Sequence, residues 1–255
     1  MLLAIDIGNT NIVFGINDGK QWISDWRIQT DVFKTADEYE VIFRSLLHSE
    51  NYGNGIIDSA VLSSVVPTLV QPFIDMLMKF LKLSPIIVGP DIYDKLPIKI
   101  LNPYQIGSDL VVNSLAAYTR YGDHVTVIDF GTALTFTTIG NDGQILGVAI
   151  APGLNTAVNA LAGKTAQLPR VHLVPPPSVL GLNTVHAIQS GIVLGYSGLV
   201  DHIIGLIGKE LGRPVTVVAT GGLSQIMSDH IPSIQHVAPL LTLDGLFLVN
   251  QYIKN

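Results

Sequence analysis

Two stretches of the chain share one pattern of apolar and polar positions. "LLAIDIGNTNIVFGINDGKQWISDWRI" opens the sequence, and "VTVIDFGTALTFTTIGNDGQILGVAI" begins at Val125. Each reads as an apolar strand, an Asp-x-Gly, a polar turn containing Thr, a second β-rich strand, an Asp-Gly and a third strand. Asp-Gly between two β-rich runs is a strong hairpin signal, so Asp18-Gly19 and Asp142-Gly143 predict matched meanders. After the first meander, "ADEYEVIFRSLLHS" carries Tyr39, Ile42, Phe43, Leu46 and Leu47 at helical spacing. "SAVLSSVV" predicts a strand stopped by Pro67, "LVQPFIDMLMKFLKL" a helix with Pro72 near its first turn, and "PIIVG" a short buried strand. In the second half "VTVVATGGL" predicts a strand ending in paired glycines, and "LTLDGLFLVNQYI" a closing helix. The proline-rich "VHLVPPPSVLGLNT" predicts a rigid surface loop. The expected architecture is a duplicated α/β unit, with residues 1–121 as the first half and 122–255 as the second.

Composition narrows the function classes. The 255 residues are 48% hydrophobic and 13% charged, which excludes a disordered chain. A net charge of -6 argues against a broad nucleic-acid footprint. The absence of cysteine removes disulfides, thiolate chemistry and Cys-based zinc sites. With no basic leader before the first strand, a cytoplasmic location is expected. The apolar run Ala187 to Val200, between His186 and Asp201, is read as too short to span a bilayer. It predicts a helix buried in a core or subunit interface, and no membrane partner.

The chemistry-bearing motifs sit at predicted strand ends. Two Asp-x-Gly hairpins, one per half, would face each other across a cleft. Glycine lets the backbone approach a phosphate, and Thr or Asn add donors. A carboxylate there repels phosphate unless a cation, or water on a cation, stands between them. Asp6 is therefore a metal-side carboxylate, holding a cation or the waters on one, and Gly8, Asn9, Thr10 and Asn11 form the phosphate-side turn. "ATGGL", with Gly221 and Gly222, is read as an adenosine contact. "AGKT" at 162–165 has Val158 where a P-loop needs its first glycine, and no strand immediately before it, so it is rejected. The histidines show no zinc-ligand spacing, and Trp22 and Trp26 are read as packing.

DIGNT, DFGTA and ATGG in this order resemble the actin, Hsp70 and sugar-kinase superfamily. "NPYQIGSDLVVN", "GVAIAPG", "TAQLPRV", "GLNTVHAIQSGIVLGYSGLV" and "LTLDGL" narrow the resemblance to type III pantothenate kinases, over essentially the whole chain. It implies an α/β fold of two actin-like (ribonuclease H-like) lobes with a cleft between them. It also implies ATP-dependent phosphorylation of the pantothenate 4′-hydroxyl, the first step toward coenzyme A. ATP is the co-substrate, Mg2+ or another divalent ion and K+ or NH4+ are the cofactors, and the expected assembly is a homodimer. By the same resemblance Asp109 is the general base, Asp129 the monovalent-cation ligand, and Gly131 and Thr132 a phosphate-binding turn. Tyr104, Gly107, Ser108, Leu110 and Thr184 are the pantothenate side, with Thr184 reaching toward the partner subunit's pocket. The residues alone leave another role open for Asp109, a helix N-cap before "LVVNSLAAYTRY".

Leu110 stands where the family motif has Arg, and Val148 where it has Gly. Arg grips a carboxylate with two hydrogen bonds. Its loss predicts weaker pantothenate binding unless another cation, with Lys164 and His186 as candidates, takes its place. The alternatives are a degenerate family member acting as a binding or regulatory protein, or a kinase for a related uncharged alcohol.

Overall fold

The computed structural model describes residues 1–254, and the chain divides into two compact units. The first comprises Met1–Ala116 with the C-terminal segment from Thr242, and the second Ala117–Leu241.

In the first unit β1 (Leu2–Ile7), β2 (Asn11–Asn17) and β3 (Trp22–Gln29) form the antiparallel meander the sequence predicts. The β2–β3 turn is shaped by side chains. Asn17 Oδ1 accepts from the Gly19 N–H, and Asp18 Oδ1 accepts from the N–H groups of Lys20 and Gln21. Helix α1 (Ala36–Ser49) begins with a capping box between Thr35 and Glu38. β4 (Ser59–Ser64) then pairs parallel with β1, and β5 (Ile86–Ile87) parallel with β4. The sheet order is β3-β2-β1-β4-β5. β5 is shorter and more exposed than expected, because it pairs at the sheet edge over only two residues.

Helix α2 (Pro67–Phe80) corrects the sequence reading. Pro67 is its first residue, where a missing N–H costs nothing, and Pro72 lies inside the helix beyond the first turn. Burial of Leu69, Phe73, Met76 and Leu77 offsets the hydrogen bond lost at Pro72; each fully buried side chain of this kind stabilises by about 1.5–3 kcal/mol. Phe14 of β2 stacks on Phe43 of α1 and Phe73 of α2, with ring centroids 5.2 and 6.1 Å away. Strand alternation sends Leu3, Ile5 and Ile7 into that core, and Leu2, Ala4 and Asp6 to the opposite face. The unit continues through α3 (Pro90–Tyr93) into α4 (Ser108–Tyr121), within which the division between units falls.

The second unit repeats the plan with β6 (Val125–Phe130), β7 (Ala133–Ile139) and β8 (Ile145–Pro152), then α5 (Leu154–Lys164), α6 (Thr184–Leu211), β9 (Thr216–Thr220), α7 (Ser224–Ser228) and β10 (His236–Val237). Its order, β10-β9-β6-β7-β8, has the same topology as the first sheet. The proline-rich segment before α6 carries no regular structure.

Two features depart from expectation. The closing helix α8 (Leu241–Lys254) packs with the first unit, not with the second half of the sequence. Trp22 Nε1 donates to Asp244 Oδ1 at 2.8 Å, the Trp22 ring meets Phe247 edge-on, and Thr242 Oγ1 donates to Asn113 Oδ1 at 2.8 Å. The apolar run 187–200 is half of a longer helix. α6 has 28 residues, so by length and composition it could cross a membrane. Asn183 caps its start by accepting from the His186 N–H, and Gly212 ends it in the left-handed region, φ +66°.

Candidate active site

Asp6 is the penultimate residue of β1, opposite Val13 on β2 and Ser63 on β4. The Gly8–Asn11 turn follows, closed by a 3.0 Å bond from the Gly8 N–H to the Asn11 carbonyl, with Asn9, Thr10 and Asn11 exposed. Ser63 leads to the other carboxylate of this unit. Its hydroxyl lies 2.9 Å from that of Ser108, which also accepts from the Ser64 N–H and donates to the Ser64 carbonyl, both at 3.1 Å. These bonds dock the first turn of α4 at the C-terminal ends of β1 and β4. Asp109 is the next residue, so the fold brings Asp6 and Asp109 to the same sheet end.

The Asp109 carboxylate is partly buried, and Oδ1 accepts from the Leu110 N–H at 2.8 Å. Desolvation pushes its pKa above the ordinary carboxylate value, and the backbone hydrogen bond opposes this only partly. A Cβ on Gly107 would lie 2.3 Å from Oδ1, so the carboxylate occupies space only glycine leaves open. Tyr93, on α3, is a neighbour that sequence reasoning missed. Burial, together with the Asp109 charge, pushes its hydroxyl up to about 12, so it is a neutral phenol at working pH. The pairing joins residues on separate elements and leaves no local sequence signal.

The residues expected on the substrate side divide between the two units. Gly107, Ser108 and Leu110 share the α4 start with Asp109, and the Leu110 side chain is buried. Tyr104 is 87% exposed, in the turn that precedes α4. Thr184 opens α6 in the second unit, beside a hollow of about 560 Å³ walled by Leu161, Leu168, Leu182 and Ile188. The candidate cations also belong to the second unit. His186 contacts Asn183 at the α6 cap, and Lys164 ends α5. Val148 lies exposed on the edge strand β8.

In the second unit Asp129 repeats the position of Asp6, penultimate in β6 and opposite Thr135 and Thr220. Gly221 follows β9 with φ +88°, and a Cβ there would fall 2.4 Å from Asp129 Oδ1. The carboxylate thus lies against the bare backbone of Gly221, next to that of Phe130. Gly131 N–H donates to the Ala133 carbonyl at 3.1 Å, which closes the Gly131–Thr132 turn at the same sheet end. Gly222 is exposed beside Gly221. The 162–165 segment ends a helix, as rejection of a P-loop requires. Among the described residues no three His, Asp or Glu side chains converge on one point. A divalent ion held chiefly by phosphates and water needs only one or two carboxylates, and Asp6 fits that donor set.

The sequence profile of the type III pantothenate kinases matches residues 2–205. A type III pantothenate kinase of Moorella thermoacetica is 46% identical, over 98% of this chain and 98% of its own length. One of Exiguobacterium sp. is 41% identical, with 98% of each chain covered. Among solved structures, a ROK family glucokinase from Streptomyces griseus in complex with glucose and AMPPNP is similar with TM-score 0.52. It is 15% identical, over 98% of this chain and 99% of that one, and shares the actin-like fold of sugar kinases.

Proposed function

This chain belongs to the type III pantothenate kinase family, and we propose that Asp109 is the base of its reaction. That reaction is ATP-dependent phosphorylation of pantothenate, which begins coenzyme A synthesis. The pantothenate hydroxyl oxygen forms a bond to the γ-phosphorus as the bond to the ADP oxygen breaks. Asp109 takes the hydroxyl proton and later returns it to solvent. A primary alcohol is a weak nucleophile, and a positioned base contributes about 10²–10⁴-fold. The remainder of the acceleration is positioning and charge stabilisation.

The observation that carries the role of Asp109 is its partly desolvated carboxylate, docked beside Asp6 through the Ser63–Ser108 bond. A divalent ion bound with ATP would neutralise phosphate charge, and Asp6 would hold it through water. Gly8, Asn9, Thr10 and Asn11 would line the phosphates, as would Gly131 and Thr132, with Gly221 and Gly222 toward the adenosine. Asp129 would ligate K+ or NH4+. Gly107, Ser108, Leu110, Tyr104 and Thr184 are proposed for pantothenate.

Dimerisation is proposed on the apolar surface of α6. Its most apolar stretch has a mean hydropathy of 1.5, yet only 11% of that stretch is buried within the chain. We place the reaction in the cytoplasm, where ATP is available.

ADP release dependent on pantothenate, measured with Mg2+ and K+ for the native chain and Asp109→Asn, tests the proposal. Loss in the variant alone supports Asp109 as base; equal rates exclude it. Leu110 favours one second reading, an acceptor lacking the carboxylate, because a buried apolar side chain stands where a cation is expected. Faster turnover of a pantothenate amide than of pantothenate would support it.

A further inference from the structure

Thr30 is the first residue after β3, and it makes two hydrogen bonds to the Gly8–Asn11 turn. Its hydroxyl donates to the Gly8 carbonyl at 2.6 Å, and its N–H donates to the Thr10 carbonyl at 2.9 Å. Asp31, beside it, is fastened to the core. The Tyr39 hydroxyl donates to the Asp31 carbonyl at 2.8 Å, and Tyr39 is fully buried on α1. The chain Tyr39–Asp31–Thr30 therefore braces the turn from the interior of the unit.

The second unit repeats the device with different residues. Gly153, the first residue after β8, donates its N–H to the Thr132 carbonyl at 3.0 Å. The Thr156 hydroxyl donates to the same oxygen at 2.7 Å. In each unit the residue after the third strand donates its N–H to a turn carbonyl, and a threonine hydroxyl donates to a carbonyl of the same turn, that of Gly8 in the first unit and that of Thr132 in the second. A brace that arises twice from unlike sequences answers a common need.

Electrostatics supplies that need. A turn that receives phosphate must keep its carbonyl oxygens away from the anion. In a trans peptide the C=O and the following N–H point in opposite directions. Holding the Gly8 oxygen toward Thr30 therefore aims the Asn9 N–H the other way. We propose that Thr30 is a positioning residue for nucleotide phosphate, holding the Gly8 carbonyl back so that the turn presents N–H donors. This rests on the phosphate-side reading of the turn given above.

The test uses the full-length chain with Thr30→Val, which keeps shape and backbone N–H but removes the hydroxyl, and Thr30→Ser, which restores it. Each is compared with the native chain by melting temperature, by KM for ATP and pantothenate, and by calorimetric binding of a non-hydrolysable ATP analogue. Thr30→Val is expected to weaken analogue binding and raise KM for ATP by about three- to ten-fold, the effect of one hydrogen bond. KM for pantothenate stays within about two-fold, and Thr30→Ser returns most of the loss, since the hydroxyl is the group that differs. Thr30→Ala takes the same measurements if the Val variant does not fold. Unchanged analogue binding in a folded variant, or equal rises in both KM values, would overturn the proposal. Because analogue binding needs no turnover, a native chain inactive on pantothenate would count against the kinase reading while still testing Thr30.

Discussion

The hydroxyls of Ser63 and Ser108 lie 2.9 Å apart, and through them the helix carrying Asp109 is fixed to the strand beside Asp6. Both side chains are buried, so removing one partner strands the other without water. Ser108→Ala is expected to cost about 1–3 kcal/mol of stability and to lower kcat more than it raises either KM. Thermal melts and steady-state kinetics check both. Normal kcat in a destabilised variant would limit the bond to a structural role.

Asp109→Asn should separate stability from activity. The folded-state pKa of Asp109 is raised, so the folded protein holds this proton to higher pH than the unfolded chain. The ionised group therefore lowers stability, increasingly so as pH rises from the ordinary carboxylate value through the folded one. The amide removes that penalty and can still accept from the Leu110 N–H. We expect a higher melting temperature at neutral pH, with kcat down by about 10²–10⁴.

The native enzyme should lose kcat/KM as pH falls through the raised pKa of Asp109, because a carboxylate in the proposed role of base accepts a proton only when ionised. Leu110→Arg places a positive charge at the adjoining residue and should move that acid limb to lower pH. It should also improve pantothenate over its uncharged amide by about ten-fold or more, the gain of a charge-assisted hydrogen bond. Burial of residue 110 makes a drop in melting temperature the expected accompaniment. An equal gain for acid and amide would remove residue 110 from carboxylate recognition.

Gly221→Ala forces a side chain into φ +88° and against Asp129 Oδ1. The backbone alone should cost about 1–2 kcal/mol, and the displaced carboxylate should raise the K+ concentration needed for half-maximal activity. Potassium titrations of the folded variant read this directly. An unaltered titration would argue against Asp129 as the cation ligand.

Gly191, Gly195, Gly198 and Gly205 on α6 have open space where a Cβ would point. Sedimentation of the native chain is expected to show a dimer, and Gly195→Glu a monomer, since a carboxylate buried between apolar helices is strongly unfavourable. A native monomer at micromolar concentration would exclude α6 as a dimer contact.

Local pattern was enough to read the two meanders, the Asp-Gly turns and the placing of Asp6 and Asp129 at strand ends. Those features depend on residues a few positions apart, where period-two alternation and turn chemistry act directly. The full-length resemblance added the identity of the reaction, which local physics could not supply. Tertiary structure alone decided that α8 joins the first unit, because the Trp22–Asp244 bond spans 222 residues. It alone put Tyr93 beside Asp109, carried α6 on to Leu211, and began α2 at Pro67 so that Pro72 lies beyond its first turn. Each of these outcomes depends on burial against distant partners, and a short window of sequence contains only one side of such a contact.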